Sequence, residues 1–240
     1  MVHRDYAAHW FRWQYAVRFV KAGMRVLDIG CGPDQMMVRV LTHSQSNVPA
    51  LYVGVDMNKL EKTTQIAWAR VLDEFDFTRR WKELLKGSYS VGSTAKRADA
   101  AKREFDTGSF DVITCFEVIE HMPKAQGLQL LKGIRECLGP TGVALLSTPV
   151  YNEKHMAANH LHEYRFEELQ ETITKAGLRV DRVVGTFMTS QAAKRAASTE
   201  QRVLLNSLHE RWFSWEVLAC LLAPLYPEQS SNCCWILRRV

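Results

Sequence analysis

Residues 26–35 read VLDIGCGPDQ. Val26 to Ile29 form an apolar run interrupted only by Asp28, and glycines follow at positions 30 and 32. So short an apolar run ahead of glycine reads as a buried strand, here over 24–30. Pro33 then suits the first turn of a helix, and PDQMMVRVLTH (33–43) carries helical periodicity. A strand that turns through Gly-x-Gly into a helix is the entry unit of an open α/β sheet.

The same alternation extends outward from this unit. Before it, residues 5–22 place apolar and aromatic side chains three and four apart, as in an amphipathic helix that Gly23 can end. After it come ALYVGVD (50–56) as a strand, 58–74 as a helix, and 75–98 as a short helix followed by a loop. SFDVITCF (109–116) is a strand, 124–138 a helix, TGVALLSTP (141–149) a strand, 165–177 a helix closed by Gly177, and LRVDRVVGTF (178–187) a strand. Residues 189–228 read as a mostly helical insertion, with CCWILRRV (233–240) as the last strand. The expected fold class is α/β: a doubly wound, mostly parallel Rossmann-like sheet with helices on both faces and a helical insertion before the last strand.

At 240 residues and 47% hydrophobic, the chain suits a single domain over 1–240. In that reading 1–23 is an N-terminal helix or lid, and 75–98 and 189–228 are insertions. The formal charge of +5 permits an anionic partner without requiring one. The first residues carry charges and no uninterrupted apolar core, and VLACLLAPLY (217–226) is too short to span a bilayer. A cytoplasmic protein with no membrane partner is the expectation. The six cysteines include no Cys-x-x-Cys, so neither a disulfide framework nor a structural zinc site is expected.

Sheets of this kind bind ligands beyond the carboxyl ends of their strands. Gly30 and Gly32 let the backbone approach a ligand there, and Asp56, ending the second strand, suits ribose hydroxyls. A nicotinamide dehydrogenase would need a third glycine at position 35, where this chain has Gln, and Asp34 would meet a pyrophosphate with a carboxylate. Both features favour a nucleoside ligand without pyrophosphate.

VLDIGCG, YVGVD, FDVITCFEVIEHM and GVALLSTP, in this order, resemble the class I S-adenosylmethionine-dependent methyltransferases over residues 24–187. The resemblance implies S-adenosyl-L-methionine as cofactor. It implies Asp28, Gly30 and Gly32 beside the methionine portion, Asp56 on the ribose, Asp99 on the adenine amino group and Phe116 alongside. The family often has a further glycine where this chain has Asp34.

The segment CFEVIEHM (115–122) crowds Glu117, Glu120 and His121 at the end of a strand. If these residues turn helically, the three share a face. Two carboxylates held together repel, and a divalent cation removes the difficulty. Carboxylates suit Mg²⁺ or Mn²⁺, and an imidazole shifts the preference toward Mn²⁺. The pattern, followed later by a histidine, resembles the ubiquinone-biosynthesis O-methyltransferases and the small-RNA 2′-O-methyltransferases. That resemblance implies a metal set of Glu117, Glu120, His121 and His160, with His162 as the alternate for His160. Without a metal, the same segment serves loop hydrogen bonding or acceptor positioning, with His121 or His160 as general base and Glu117 as a further catalytic candidate.

The expected reaction is O-methylation of a small-molecule hydroxyl. The alternative is a nucleic-acid acceptor, since Arg79, Arg80, Lys82, Lys86, Lys96, Arg97, Lys102 and Arg103 lie around Trp81 and Tyr89. A third reading is a catalytically silent cofactor-binding protein. The sequence leaves the acceptor and the oligomeric state open.

Overall fold

The computed structural model describes residues 4–44, 47–86, 110–151, 153 and 156–240, with side chains from residue 7 onward. Its frame is a seven-stranded sheet ordered β3-β2-β1-β4-β5-β7-β6. The strands are β1 (Arg25–Ile29), β2 (Leu51–Val55), β3 (Ala69–Leu72), β4 (Phe110–Phe116), β5 (Leu138–Pro149), β6 (Leu178–Phe187) and β7 (Asn232–Arg239). From β3 through β5 every pairing is parallel, and β7 enters antiparallel between β5 and β6. The chain winds outward from β1 to β3, then returns to lay β4 on the other side of β1, so the switch point lies between β1 and β4.

The helices are α1 (Arg4–Val17), α2 (Met36–His43), α3 (Phe77–Lys86), α4 (Lys124–Cys137), α5 (Phe166–Lys175), α6 (Ser190–Ala196), α7 (Thr199–Arg211) and α8 (Trp215–Leu222). Because side chains alternate along a strand, the central strands feed two cores. Leu27, Ile29, Ile113 and Cys115 pack with Leu130 and Ile134 of α4 and with Leu169 and Ile173 of α5. Val26, Tyr52 and Val112 pack with Ala16 and Val17 of α1 and with Met37, Val38 and Leu41 of α2. Helices therefore cover both faces.

Between β6 and β7, α6 to α8 enclose a smaller apolar cluster that includes Met188, Leu205, Trp215, Leu218 and Leu222. Each of these helices starts on a side-chain oxygen, from Thr189, Ser198 or Ser214, which accepts from a first-turn backbone N–H. All six cysteines are buried and none is in a disulfide. Among the described residues no helix is long and apolar enough to cross a membrane.

The helix expected over 58–74 is not formed. The chain runs irregularly to Trp68, whose carbonyl accepts from Tyr52 N at 2.9 Å, and then pairs as β3 with β2. Ala69, Val71 and Leu72 are buried while Arg70 between them is exposed, which is a strand's alternation near the sheet edge. β-Branched Thr63, Thr64 and Ile66 ahead of it weaken a helix. Several sequence-based boundaries also shift; among them, β5 starts at Leu138, β4 at Phe110 and β7 at Asn232.

Candidate functional site

The carboxyl edge at β1 and β2 is built around a turn with unusual dihedrals. Gly30 and Gly32 have φ of +73° and +65°, left-handed values that residues with a Cβ resist. Gly30 N donates to Val55 O at 2.8 Å and Gly32 N to Asp56 Oδ2 at 2.9 Å, so the turn is clipped onto the end of β2. A Cβ at Gly30 would lie 2.3 Å from Val118 Cγ2, whereas one at Gly32 would meet nothing within 4 Å, so the turn is open on that side. Gln35 also has a left-handed φ, +46°, at the position where a third glycine was sought. Its amide compensates by accepting from Thr64 N at 2.8 Å and donating to Lys62 O at 2.6 Å.

Asp28 and Asp56 are both buried but differ in setting. Asp28 accepts from Tyr52 Oη and Thr114 Oγ1, each at 2.7 Å, inside the sheet. Burial pushes its carboxyl up to about 6 against the pull of those two hydroxyls. Asp56 holds the edge itself: Oδ2 takes Gly32 N, and Oδ1 takes Asn58 N at 2.9 Å. Phe116 ends β4, half-buried against the α1–α2 core. Asp99 lies outside the described residues.

After β4 the expected helical face is broken. Glu117 has φ +57°, left-handed for a residue with a side chain, and only Ile119–His121 form a short 3-10 turn. The carboxylate of Glu117 turns inward as a result. It pairs with Arg12 Nη1 of α1 at 3.0 Å and accepts from Ser147 Oγ at 2.8 Å and Asn232 Nδ2 at 2.9 Å. The hydrogen bonds of Glu117 therefore run to Arg12, Ser147 and Asn232, and the converging ligand atoms are those of Glu120, His121 and His160.

Glu120, His121 and His160 do converge. One carboxylate oxygen and one ring nitrogen from each histidine lie within 4.8 Å of one another. Glu120 is fully buried; its Oε2 accepts from Thr148 Oγ1 at 3.1 Å, and its Oε1 has no hydrogen-bond partner among the described residues. Burial, reinforced by the nearby charge of Glu117, pushes its carboxyl up to about 8. His121 Nδ1 donates to Asn159 O at 3.0 Å, because a carbonyl can only accept. His160 Nδ1 contacts Glu163 in the same sense. Each ring thus has its Nδ1 engaged, and Nε2 is the nitrogen that remains. An orphaned buried carboxylate oxygen beside two such imidazoles is a donor set that fits a divalent cation. His162, the alternate, faces away to Glu168 at 3.1 Å.

A family profile described as "Methyltransferase domain" matches residues 6–183. The chain belongs to the methyltransferase-domain family. Curated relatives include a Ubiquinone biosynthesis O-methyltransferase of Haemophilus ducreyi, 28% identical over 52% of this chain and 45% of that protein. One of the same name from Pseudomonas aeruginosa is 26% identical over 68% of each chain. The chain spans about half the length of the first of these relatives. A solved SAM-dependent methyltransferase from Archaeoglobus fulgidus superposes with a TM-score of 0.59 at 16% identity, over 99% of this chain and 95% of that one. At that identity the likeness is one of fold.

Within this methyltransferase-domain fold, the sequence reading missed the residues that hold the others in place. Arg12 occupies the middle of a buried stripe, Ala8–Arg12–Ala16, and small neighbours four residues either side admit its long stem. Asn232, Ser147 and Thr148 lie within or beside strands and carried no signal beyond being polar in apolar runs. Of the basic run, Arg79 pairs with Asp76 at 3.3 Å and Arg80 with Glu83 at 2.8 Å. Tyr89, Lys96, Arg97, Lys102 and Arg103 lie outside the described residues.

Proposed function

We propose that this protein transfers a methyl group from S-adenosylmethionine to a hydroxyl of a small-molecule acceptor, with a divalent cation beside that hydroxyl. The observation that carries the reading is that the glycine turn with Asp56 and the Glu120–His121–His160 group stand at one carboxyl edge of the sheet. In this reading Asp28, Gly30 and Gly32 line the methionine portion, Asp56 takes the ribose hydroxyls and Phe116 lies alongside. Asp99 is assigned to the adenine amino group. The name of the curated relatives supports a hydroxyl acceptor.

When bound, the cofactor supplies a sulfonium methyl for in-line displacement, and a cation lowers the pKa of a coordinated hydroxyl. Glu120, His121 and His160 hold the cation, and the two imidazoles favour Mn²⁺ over Mg²⁺. The enzyme's own part is alignment of acceptor and methyl. With the cation removed, His121 or His160 can take the hydroxyl proton at Nε2, since Nδ1 of each is already donating.

Calorimetric titration with S-adenosylhomocysteine tests the cofactor site, and saturable binding is expected. Titration with Mn²⁺ tests the second: wild type binds and Glu120→Gln does not. Folded protein that ignores S-adenosylhomocysteine would overturn the reading. An acceptor KM that weakens steeply with salt would redirect it to a nucleic acid.

A further inference from the structure

The turn over residues 157–163 does more than deliver His160. Its backbone is closed by His160 N donating to Ala157 O at 2.9 Å. It is stitched to the 3-10 turn by Leu161 N and His162 N, which donate to Glu120 O at 2.8 and 3.1 Å. It also offers Asn159 O to His121 Nδ1. The two rings meet edge to face, with centroids 4.9 Å apart and planes at 85°. One short turn thus sets both imidazoles against Glu120.

Glu163 closes the arrangement. Its side chain is 7% exposed and accepts from both Ala157 N, at 3.3 Å, and His160 Nδ1. The next residue, Tyr164, is buried and bridges to Val150 just beyond β5, so the backbone carrying Glu163 is anchored. A carboxylate on the far nitrogen of an imidazole selects the tautomer, fixes the ring and raises the basicity of the near nitrogen.

We propose that Glu163 is the positioning residue for His160, holding the ring through Nδ1 so that the Nε2 lone pair is presented toward Glu120 and His121. The proposal rests on the cation reading given above. It assigns Glu163 no contact with cofactor or acceptor.

The test is Mn²⁺ binding by the full chain, followed by electron paramagnetic resonance of free Mn²⁺, in wild type, Glu163→Gln, His160→Ala and the double variant. Glu163→Gln is expected to weaken Mn²⁺ about 10- to 100-fold, with affinity for S-adenosylhomocysteine unchanged. In the His160→Ala background the same substitution should change Mn²⁺ affinity by about twofold at most, because its partner is gone. If Glu163→Gln does not fold, Glu163→Asp, which keeps the charge but withdraws it by a methylene, should show a smaller loss again confined to Mn²⁺. Wild-type affinity in the Glu163 variant, or an undiminished loss without His160, overturns the proposal. Wild-type protein that binds no Mn²⁺ overturns the cation site and this role together, and that outcome is read before any variant is made.

Discussion

Replacing Arg12 by methionine keeps most of the stem and removes the guanidinium that ties α1 to the exit of β4. Arg12 and Glu117 have side-chain exposures of 3% and 23%, and their contact is 3.0 Å. Removing one partner of a buried pair costs about 3–5 kcal/mol, chiefly because the other charge stays buried and unpaired. Glu117 is the less buried of the two and keeps Ser147 and Asn232 as donors, which puts Arg12→Met at or just below the lower end of that range, about 2–3 kcal/mol. Glu117→Gln leaves the more deeply buried guanidinium without its carboxylate, keeping Asn232 Oδ1 and His9 as partners, and should cost about 3 kcal/mol. The double variant leaves neither charge, so it should be more stable than the sum of the singles implies, by about 2 kcal/mol. Urea unfolding at pH 7 measures all four proteins. Hydrogen exchange should show α1 losing protection in Arg12→Met while β1 and β4 keep theirs. Single effects that add to within about 0.5 kcal/mol would refute the claim that this pair fastens α1.

Gly30→Ala must hold alanine at φ +73° with its Cβ 2.3 Å from Val118 Cγ2. The expected cost is about 2–3 kcal/mol, with weaker S-adenosylhomocysteine binding, and Val118→Ala should recover the part due to the clash; thermal melts and calorimetry of the single and double variants check this. Asp28 gives a pH signature. Its carboxyl is raised from 3.8 to about 6, so its contribution to stability is fully present below about pH 4 and is lost as pH rises through 6. Relative to Asp28→Asn, which does not titrate, wild type should lose about 2 kcal/mol between pH 4 and pH 7 in denaturant titrations. A flat difference would mean that Asp28 is already ionised at pH 4 in the fold.

Much of the architecture was legible because it depends on local rules. Val26 to Gly32 announce a strand and a left-handed turn through side-chain type alone, and the other apolar runs repeat the lesson. The error at 58–74 has a physical source. Ala69, Val71 and Leu72 fit a helical as well as a strand period over so few residues, and β2 alongside chose the strand. The helical face expected to hold Glu117 with Glu120 and His121 failed for a related reason. Spacings of three and four imply one face only on a regular helix, and a φ of +57° at Glu117 removes that premise.

By itself, then, the sequence determined the alternating α/β order, the glycine turn at the switch point and the crowding of acids and imidazoles after β4. Each follows from neighbours a few residues apart. Tertiary structure alone decided which of those groups meet. Arg12 claims Glu117 from another layer of the fold, and Asn232 reaches it from the last strand. The turn carrying Asn159, His160 and Glu163 closes on Glu120 and His121. Such pairings balance the desolvation of charges against partners distant in the chain, so they are set only when the layers pack.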